Sequence, residues 1–278
     1  MSQNLTPESV PSAGEMPMLG LGTWENDDHD QCAESVENAL EMGYRHIDTA
    51  QAYRNEEAVG EGIAAADVDR EDIFLATKVW TSKLSHEKVL RSTKDSLDKL
   101  GVDYVDLLYV HWPANQYDPV DTLPAFDELY DEGLIENVGV SNFEPDHIDR
   151  ASRELDAPVF ANQVEMHPFL QQDDLREYAA ENDIELVAYS PLARGDVMDD
   201  PTLSEIAEKH GVSAAQVSLA WLREKGVTAI PKATGEAHIR DNFESVALEL
   251  DEEDIAAIDE LDRGQRQVHP DFAPEAWA

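Results

Sequence analysis

Cysteine, basic residues and long apolar runs are all scarce in this chain of 278 residues. A single cysteine, Cys32, excludes an internal disulfide framework and cannot by itself form a thiolate metal site. No apolar stretch approaches the roughly 20 residues that a membrane-spanning helix needs. The polar segment from Met1 to Val10 lacks the basic and apolar parts of a secretory signal. We therefore expect a cytoplasmic protein without a membrane partner.

The shortage of basic residues dominates the electrostatics of the chain. There are 60 acidic residues against 20 basic ones, which gives a formal net charge of −40, and the acids are spread along the whole sequence. Charge of this sign disfavours nucleic acid as a partner and destabilises a compact fold at low ionic strength. We predict a protein from a salt-accumulating halophile, and an acidic enzyme of a mesophile is the alternative.

Short apolar runs alternate with amphipathic segments, and no linker marks a domain boundary. After a hairpin over Val10–Met18, strands are predicted at Leu19–Trp24, Tyr44–Ile47, Ile73–Val79, Val105–Val110, Ile135–Val140, Val159–Val164, Glu185–Tyr189 and Thr228–Pro231. Helices are predicted at Gln31–Met42, Glu56–Ala65, Ser85–Leu100, Val120–Tyr130, Pro145–Leu155, Asp173–Glu181, Leu203–Lys209, Ala214–Lys225, Glu236–Ala247 and Glu252–Leu261. This alternation predicts an α/β protein, a (β/α)₈ TIM barrel with an N-terminal β-hairpin and an extra C-terminal helix, as one domain over residues 1–278.

A doubly wound sheet is the alternative arrangement of these elements. Its dinucleotide fingerprint requires a third glycine and a helix that follows directly. The stretch from Gly20 through Gly22 to Trp24 has neither. We therefore favour the barrel.

Four polar residues follow adjacent strands of the predicted barrel: Asp48, Tyr53, Lys78 and His111. Each has an ordinary structural explanation when it is taken alone, as a helix N-cap, a loop aromatic, a strand-end lysine or a core histidine. The C-terminal ends of barrel strands surround the active site. Four such residues that converge at one mouth favour a single site.

These residue types form a coherent acid–base group. A phenol with a pKa of about 10 is a poor proton donor or base near neutrality, and we expect Lys78 to lower the pKa of Tyr53. Asp48 can pair with Lys78, while His111 can donate a hydrogen bond to a carbonyl oxygen. None of the four donates hydride, so carbonyl reduction needs a cofactor. A metal-dependent barrel hydrolase is disfavoured because no H-x-H pair lies on the first strand.

Eight segments resemble one protein family in order and spacing. They read GLGTW, GYRHIDTAQAYRNE, TKVW, LLYVHWP, GLIENVGVSNF, NQVEMHPF, AYSPLARG and IPKAT…IRDNF. Between Met16 and Leu261 the chain resembles the aldo-keto reductases, most of all the compact prokaryotic branch that includes 2,5-diketogluconate reductases. The resemblance implies a (β/α)₈ barrel that binds NADPH across its mouth.

The resemblance also implies roles for individual residues. It makes Asp48, Tyr53, Lys78 and His111 the catalytic tetrad. Cofactor-binding roles fall on Thr23, Trp24, Ser141, Asn142, Gln163, Tyr189, Ser190, Pro191, Leu192, Lys232, Thr234, His238 and Asn242. Among these, Ser141, Asn142 and Gln163 correspond to residues that hold the nicotinamide carboxamide, and Tyr189 corresponds to the one that stacks on the ring. The expected walls of the substrate pocket are Trp24, Trp80 and Trp112.

Structural alternatives remain open for several of these residues. Ser141 and Asn142 also fit an N-cap before the helix at Pro145, a role compatible with cofactor binding. Tyr189 fits a strand-end core aromatic, and the three tryptophans fit packing at the barrel rim.

The sequence departs from the family where the adenosine 2′-phosphate binds. In the family pattern IPKSxxxxRIxxN, Lys232 and Asn242 match, but Ala233 replaces the serine and His238 the arginine. A neutral imidazole cannot reproduce a bidentate guanidinium–phosphate contact, although Thr234 or Arg240 could compensate. We predict NADPH as the preferred cofactor, with NADH use possible.

The predicted function is an NAD(P)H-dependent reduction of aldehydes or ketones, such as small carbonyls and keto sugars, to alcohols, with Tyr53 as proton donor. The loop 113–119 is short and little chain follows Leu261, which predicts an open pocket for small substrates. We expect a monomer and no metal. The alternative is a non-catalytic barrel that senses nicotinamide.

Overall fold

Eight parallel strands form one sheet in the computed structural model, which describes residues 5–274. The first two strands, β1 (Ser12–Ala13) and β2 (Met16–Pro17), form a separate antiparallel hairpin. The sheet contains β3 (Leu21–Gly22), β4 (His46–Asp48), β5 (Phe74–Val79), β6 (Val105–Val110), β7 (Ile135–Ser141), β8 (Val159–Glu165), β9 (Glu185–Tyr189) and β10 (Thr228–Ala229). Each strand pairs with the next in chain order, so the alternation read from the sequence is confirmed as an α/β barrel.

The sheet closes between its first and last strands. Parallel bridges join Leu19 to Ala229 and Gly22 to Lys232. The Gly22 amide donates to the carbonyl of Pro231 at 3.1 Å. The last strand ends at Ala229 and not at Pro231 as predicted, because proline has no N–H to extend the ladder. A side chain at Gly22 would meet the Ile230 carbonyl oxygen at 2.7 Å, so this close approach requires glycine.

Ten helices surround the sheet within residues 5–274. They are α1 (His29–Met42), α2 (Glu56–Ala65), α3 (His86–Leu100), α4 (Pro119–Asp131), α5 (Pro145–Glu154), α6 (Asp173–Glu181), α7 (Pro201–His210), α8 (Ala214–Glu224), α9 (Glu236–Glu244) and α10 (Glu252–Asp259). Local signals set their ends. Asp28 caps the start of α1. Gly101 ends α3 in the left-handed conformation, as predicted. The last two helices are shorter than predicted, because a 3₁₀ turn over Ser245–Ala247 replaces the end of α9 and α10 stops at Asp259.

The hairpin covers the end of the barrel at which the strands begin. Met16 is fully buried among the side chains that fill the barrel interior, including Phe74, Leu107 and Tyr109. The carbonyl of Pro17 lies 3.1 Å from Nδ1 of His46, whose pKa burial lowers to about 4. The hairpin therefore plugs the N-terminal end and leaves the C-terminal ends of the strands accessible. The prediction of a single domain over residues 1–278 extends at both ends beyond the described residues and stays a prediction.

Carboxylates greatly outnumber the cations that could neutralise them. The 60 acidic side chains share only 20 lysines and arginines, so the charge of 40 carboxylates is not balanced by a basic residue. Several exposed cations within residues 5–274 are already paired, such as Lys94 with Glu132 at 3.0 Å and Lys209 with both Asp251 and Asp254 at 2.7 Å. The unpaired acids repel one another across the surface.

We expect salt to stabilise this fold by screening that repulsion. The midpoint of thermal unfolding, followed by circular dichroism, should rise by at least about 5 °C between about 0.1 M and 2 M KCl. Most of the rise should occur below about 1 M, where the Debye length has fallen to about 3 Å. Glycine betaine serves as the uncharged control, and an equal rise in betaine would assign the effect to solvent exclusion and not to charge.

Candidate active site

The ends of two strands and two connecting segments bring the four predicted catalytic residues together. Asp48 is the last residue of β4, and Tyr53 ends a 3₁₀ turn that begins at Gln51. Lys78 lies in β5, and His111 directly follows β6. The Lys78 ammonium lies 2.5 Å from Oδ1 of Asp48 and 3.5 Å from the Tyr53 hydroxyl. The rings of Tyr53 and His111 are 5.9 Å apart, edge to face.

Lys78 and Asp48 form an ion pair that is almost entirely buried. Their side chains are 0% and 2% exposed. Lys78 also donates to the carbonyl of Thr49 at 2.8 Å, and Oδ2 of Asp48 accepts from the Gln163 amide at 2.7 Å. Burial lowers the pKa of Lys78, while the charge and hydrogen bond of Asp48 oppose that shift. A buried pair persists only where further hydrogen bonds satisfy it, and both partners have them.

The effect of this pair on Tyr53 differs from the prediction. We expected Lys78 to lower the pKa of the phenol. Instead, burial raises the pKa of Tyr53 well above its ordinary value, and the charge of Asp48 acts in the same direction. The Lys78 ammonium, paired with Asp48 at 2.5 Å, does not offset these two effects. Tyr53 is therefore a neutral phenol at ordinary pH, able to give a proton.

His111 is a neutral imidazole in this environment. Burial, and then the charge of Lys78, hold the pKa of His111 well below its ordinary range. Its Nδ1 is buried without a hydrogen-bond partner among residues 5–274. The ring of Trp80 lies edge to face at 5.0 Å. A neutral imidazole carries one N–H, which suits donation to an uncharged oxygen.

Hydrogen bonds link the residues expected to hold a carboxamide. The Ser141 hydroxyl donates to the carbonyl of Gln163 at 2.8 Å, and the Asn142 amide donates to the carbonyl of His111 at 3.0 Å. The Tyr189 hydroxyl donates to Oδ1 of Asn142 at 2.8 Å. The alternative of an N-cap is wrong, because Glu144 occupies that position of α5.

A cavity of about 630 Å³ opens at this end of the barrel. Fifteen of the predicted site residues line it: Thr23, Trp24, Asp48, Tyr53, Trp80, His111, Trp112, Ser141, Asn142, Gln163, Tyr189, Ser190, Pro191, Leu192 and Lys232. Lys78 is not among the lining residues, because Asp48 and Tyr53 separate it from the cavity. An organic molecule with several polar groups fits such a cleft.

Three predicted cofactor residues do not line the cavity. Thr234 is half-buried before α9, His238 is exposed on that helix, and Asn242 is buried within it. Nearby, Arg240 pairs with Glu236 at 2.9 Å. These three residues thus lie outside the cavity, on α9 and in the segment before it.

Sequence reasoning missed two contributions to the cavity. Arg194 lies over the ring of Trp24 at 4.8 Å. The segment after α10 returns to the mouth, where Phe272 contacts Trp80 and Trp112 edge to face at ring distances of 6.0 and 5.5 Å. The expectation that too little chain follows Leu261 to shape the pocket is therefore wrong. The sequence signal that could have indicated this contact is an apolar residue, Phe272, within a mostly polar tail.

Comparison with known proteins identifies the family. A family model described as the aldo/keto reductase family matches residues 18–263. The chain belongs to the aldo/keto reductase family. It is 40% identical over 269 residues to a 9,11-endoperoxide prostaglandin H2 reductase of Trypanosoma cruzi, covering 96% of this chain and 95% of the relative. It is 42% identical over 253 residues to a glyoxal reductase of Bacillus subtilis, covering 91% of each.

Solved structures of this family share the same barrel. A structure described as a 2,5-diketo-D-gluconic acid reductase B matches with a TM-score of 0.92 and 38% identity, covering 97% of this chain and 96% of the other. A Bombyx mori aldo-keto reductase in complex with NADP matches with a TM-score of 0.85 and 34% identity, covering 90% and 91%. None of these named relatives supports the alternative of a non-catalytic sensor.

Two alternatives from the sequence concern metals and membranes. Among residues 5–274, no group of three or more His, Cys, Asp or Glu side chains is placed to hold a metal ion. Each helix in that range is too short or too polar to cross a bilayer.

We predict strong energetic coupling between Asp48 and Lys78. Either Asp48→Asn or Lys78→Met leaves one buried charge unpaired, which should lower the free energy of unfolding by about 3–5 kcal/mol. The double variant should lose much less than the sum of the two, since neither charge remains. Urea unfolding followed by tryptophan fluorescence in high KCl measures all three values.

The exposed pair of Lys94 and Glu132 provides the control. Its side chains are 53% and 52% exposed, so Glu132→Gln should change the free energy of unfolding by less than about 1 kcal/mol. Strictly additive losses in the Asp48 and Lys78 variants would contradict the buried ion pair.

Proposed function

We propose that this protein is an NAD(P)H-dependent reductase that converts small aldehydes and ketones to alcohols. One observation carries the proposal: a neutral phenol, Tyr53, and a neutral imidazole, His111, face one cavity above a buried Lys78–Asp48 pair. Family membership supports the same reaction class. The named relatives that reduce glyoxal and an endoperoxide support an oxygen-containing substrate without identifying it.

The residues around the cavity fit a nicotinamide dinucleotide. The amides of Asn142 and Gln163 lie beside the Tyr189 ring at the cavity wall, a set suited to a carboxamide on an aromatic ring. The loop that begins at Ser190 has left-handed backbone at Ser190, Ala193 and Arg194, an arrangement that concentrates at ligand sites. When bound, the cofactor supplies hydride to the carbonyl carbon.

The chain's own residues supply the proton and the orientation. Tyr53 holds its proton because burial raises the pKa of the phenol, and it can deliver that proton to the carbonyl oxygen as charge develops there. The N–H of His111 can hydrogen-bond the same oxygen and fix its direction. The Lys78 ammonium, 3.5 Å from the phenol oxygen, favours the phenolate that remains after transfer.

The pocket composition favours a small or slender substrate. Trp24, Trp80, Trp112 and Phe272 provide aromatic surfaces around the catalytic group, and Phe272 fills space that a larger substrate would need. We propose aldehydes, dicarbonyls and keto sugars as the substrate class. The cytoplasmic, halophilic and monomeric state inferred from charge and family remains a prediction.

We expect Tyr53→Phe to lower kcat for carbonyl reduction by about 100- to 10,000-fold, because the general acid is lost. Cofactor affinity, followed by quenching of tryptophan fluorescence, should change little. The assay is cofactor oxidation with a panel of aldehydes, ketones and keto sugars in high KCl. Tyr130→Phe, at an exposed helical position, is the matched control. Full activity in Tyr53→Phe would remove Tyr53 from the mechanism, and efficient steroid turnover without activity on small carbonyls would overturn the substrate class.

We predict a preference for NADPH that is smaller than an arginine at position 238 would give. Lys232 is exposed at the end of the cavity, but Arg240 already pairs with Glu236. His238→Arg should raise the ratio of kcat/KM for NADPH over NADH by about tenfold or more, through one added charge-assisted contact. His86→Arg makes the same change on α3, outside the cavity lining, and should leave the ratio unchanged. A clear NADH preference in the unmodified protein would contradict the assignment.

A further inference from the structure

A second buried carboxylate lies below the cavity, outside the catalytic group. Glu165 ends β8 and is fully buried. Its Oε1 accepts from the backbone N–H of Gln267 at 2.7 Å and from Nε2 of His167 at 3.0 Å. Its Oε2 accepts from the backbone N–H of Val268 at 2.8 Å. The C-terminal tail, residues 262–274, thus provides two of the three donors to this carboxylate.

The third donor is the imidazole of His167. Nδ1 of His167 accepts from the backbone N–H of Phe169 at 3.3 Å, so the proton lies on Nε2, which faces Glu165. A buried carboxylate depends on the hydrogen bonds that replace its hydration. Although burial raises the pKa of Glu165, the bonds from His167, Gln267 and Val268 lower it overall. Release of the tail would leave this charge with a single donor.

The same tail is joined to the loop that lines the proposed cofactor path. The side-chain amide of Gln267 donates to the carbonyl of Ala193 at 2.8 Å and to Asp196 at 2.9 Å. Gln265 also donates to Asp196, at 2.8 Å. Ala193 belongs to the stretch with left-handed backbone that begins at Ser190. Gln267 therefore contacts Glu165 through its backbone and the cofactor loop through its side chain.

Beyond these contacts the tail reaches the cavity. Val268, Pro270 and Phe272 line it, and Phe272 packs against Trp80 and Trp112. Glu165 does not line the cavity, so it contacts neither the substrate nor the cofactor position directly. Its links to the cavity wall are the tail and Tyr189, which is its register partner on β9.

We infer that Glu165 is a positioning residue that fastens the C-terminal tail over the carbonyl pocket and, through Gln267, joins the pocket wall to the cofactor loop. The inference rests on the proposed reductase function for its kinetic consequence. Its structural consequence is independent of turnover: the amides of Gln267 and Val268 are protected from exchange by one carboxylate.

Glu165→Gln tests the fastening, because the glutamine amide is nearly the same size but cannot accept two tail bonds with a full charge. Hydrogen exchange at Gln267 and Val268 should accelerate by roughly 10- to 100-fold, the loss expected of a charge-assisted hydrogen bond. KM for carbonyl substrates should rise about tenfold while kcat stays within about twofold, because Tyr53 and His111 are unchanged. A purely structural residue would instead lower kcat and the thermal midpoint together, without this split.

Gln267→Met tests the link to the cofactor loop separately. It removes the side-chain bonds to Ala193 and Asp196 but keeps the backbone N–H that donates to Glu165. We expect cofactor affinity, measured by fluorescence quenching, to fall about threefold or more, with exchange at Val268 unchanged. Equal cofactor affinity in Gln267→Met and the unmodified protein would contradict the inference that Gln267 connects the tail to the cofactor loop.

Glu185→Gln is the matched control, the same chemical change on the neighbouring strand β9 and away from the tail. It should alter neither tail exchange nor KM. Equal kinetics in Glu165→Gln and Glu185→Gln would overturn the inference. Rapid exchange at the amides of Gln267 and Val268 in the unmodified protein would also overturn it, and this measurement does not depend on how well Glu165→Gln folds. Absence of carbonyl reduction in the unmodified protein, with the tail protected, would overturn the proposed function alone.

Discussion

The buried ion pair between Lys78 and Asp48 is the interaction on which the candidate site depends. It joins β4 to β5, and the bond from Gln163 extends it to β8 on the far side of the barrel. The desolvation of both charges is costly, and the hydrogen bonds to Thr49 and Gln163 offset part of that cost. A pair held on three strands cannot shift without disturbing the sheet. It therefore fixes the position of the buried charges next to the Tyr53 hydroxyl.

The charges below the site and the neutral groups within it have separate roles. Burial keeps the proton on the phenol of Tyr53, with the charge of Asp48 acting in the same direction, and burial together with the charge of Lys78 keeps the imidazole of His111 uncharged. The two donors proposed to meet the substrate oxygen are thus neutral, while the Lys78 ammonium is buried behind them.

The mouth of the barrel is assembled from segments distant in the chain. Hydrogen bonds among Ser141, Asn142, Gln163 and Tyr189 join β7, β8 and β9. The tail then adds Phe272 from beyond the last helix, held by the carboxylate of Glu165. Two buried carboxylates, Asp48 and Glu165, therefore organise the two sides of one cavity. In the proposed mechanism the first lies beside the proton donor, Tyr53, and the second holds the tail that carries Phe272.

The sequence by itself determined the barrel, because helix and strand periodicities are local properties: α2, β6, α6 and β9 have the predicted bounds, and Gly101 ends α3. It also brought Asp48, Tyr53, Lys78 and His111 to one mouth, since the ends of successive parallel strands are neighbours. The pKa of Tyr53 and the path of the tail were decided only by tertiary structure. The phenol's pKa is raised mainly by burial, and burial is a property of the assembled barrel. The tail has no periodicity of its own, and its course is set by hydrogen bonds to Glu165, about 100 residues earlier in the chain.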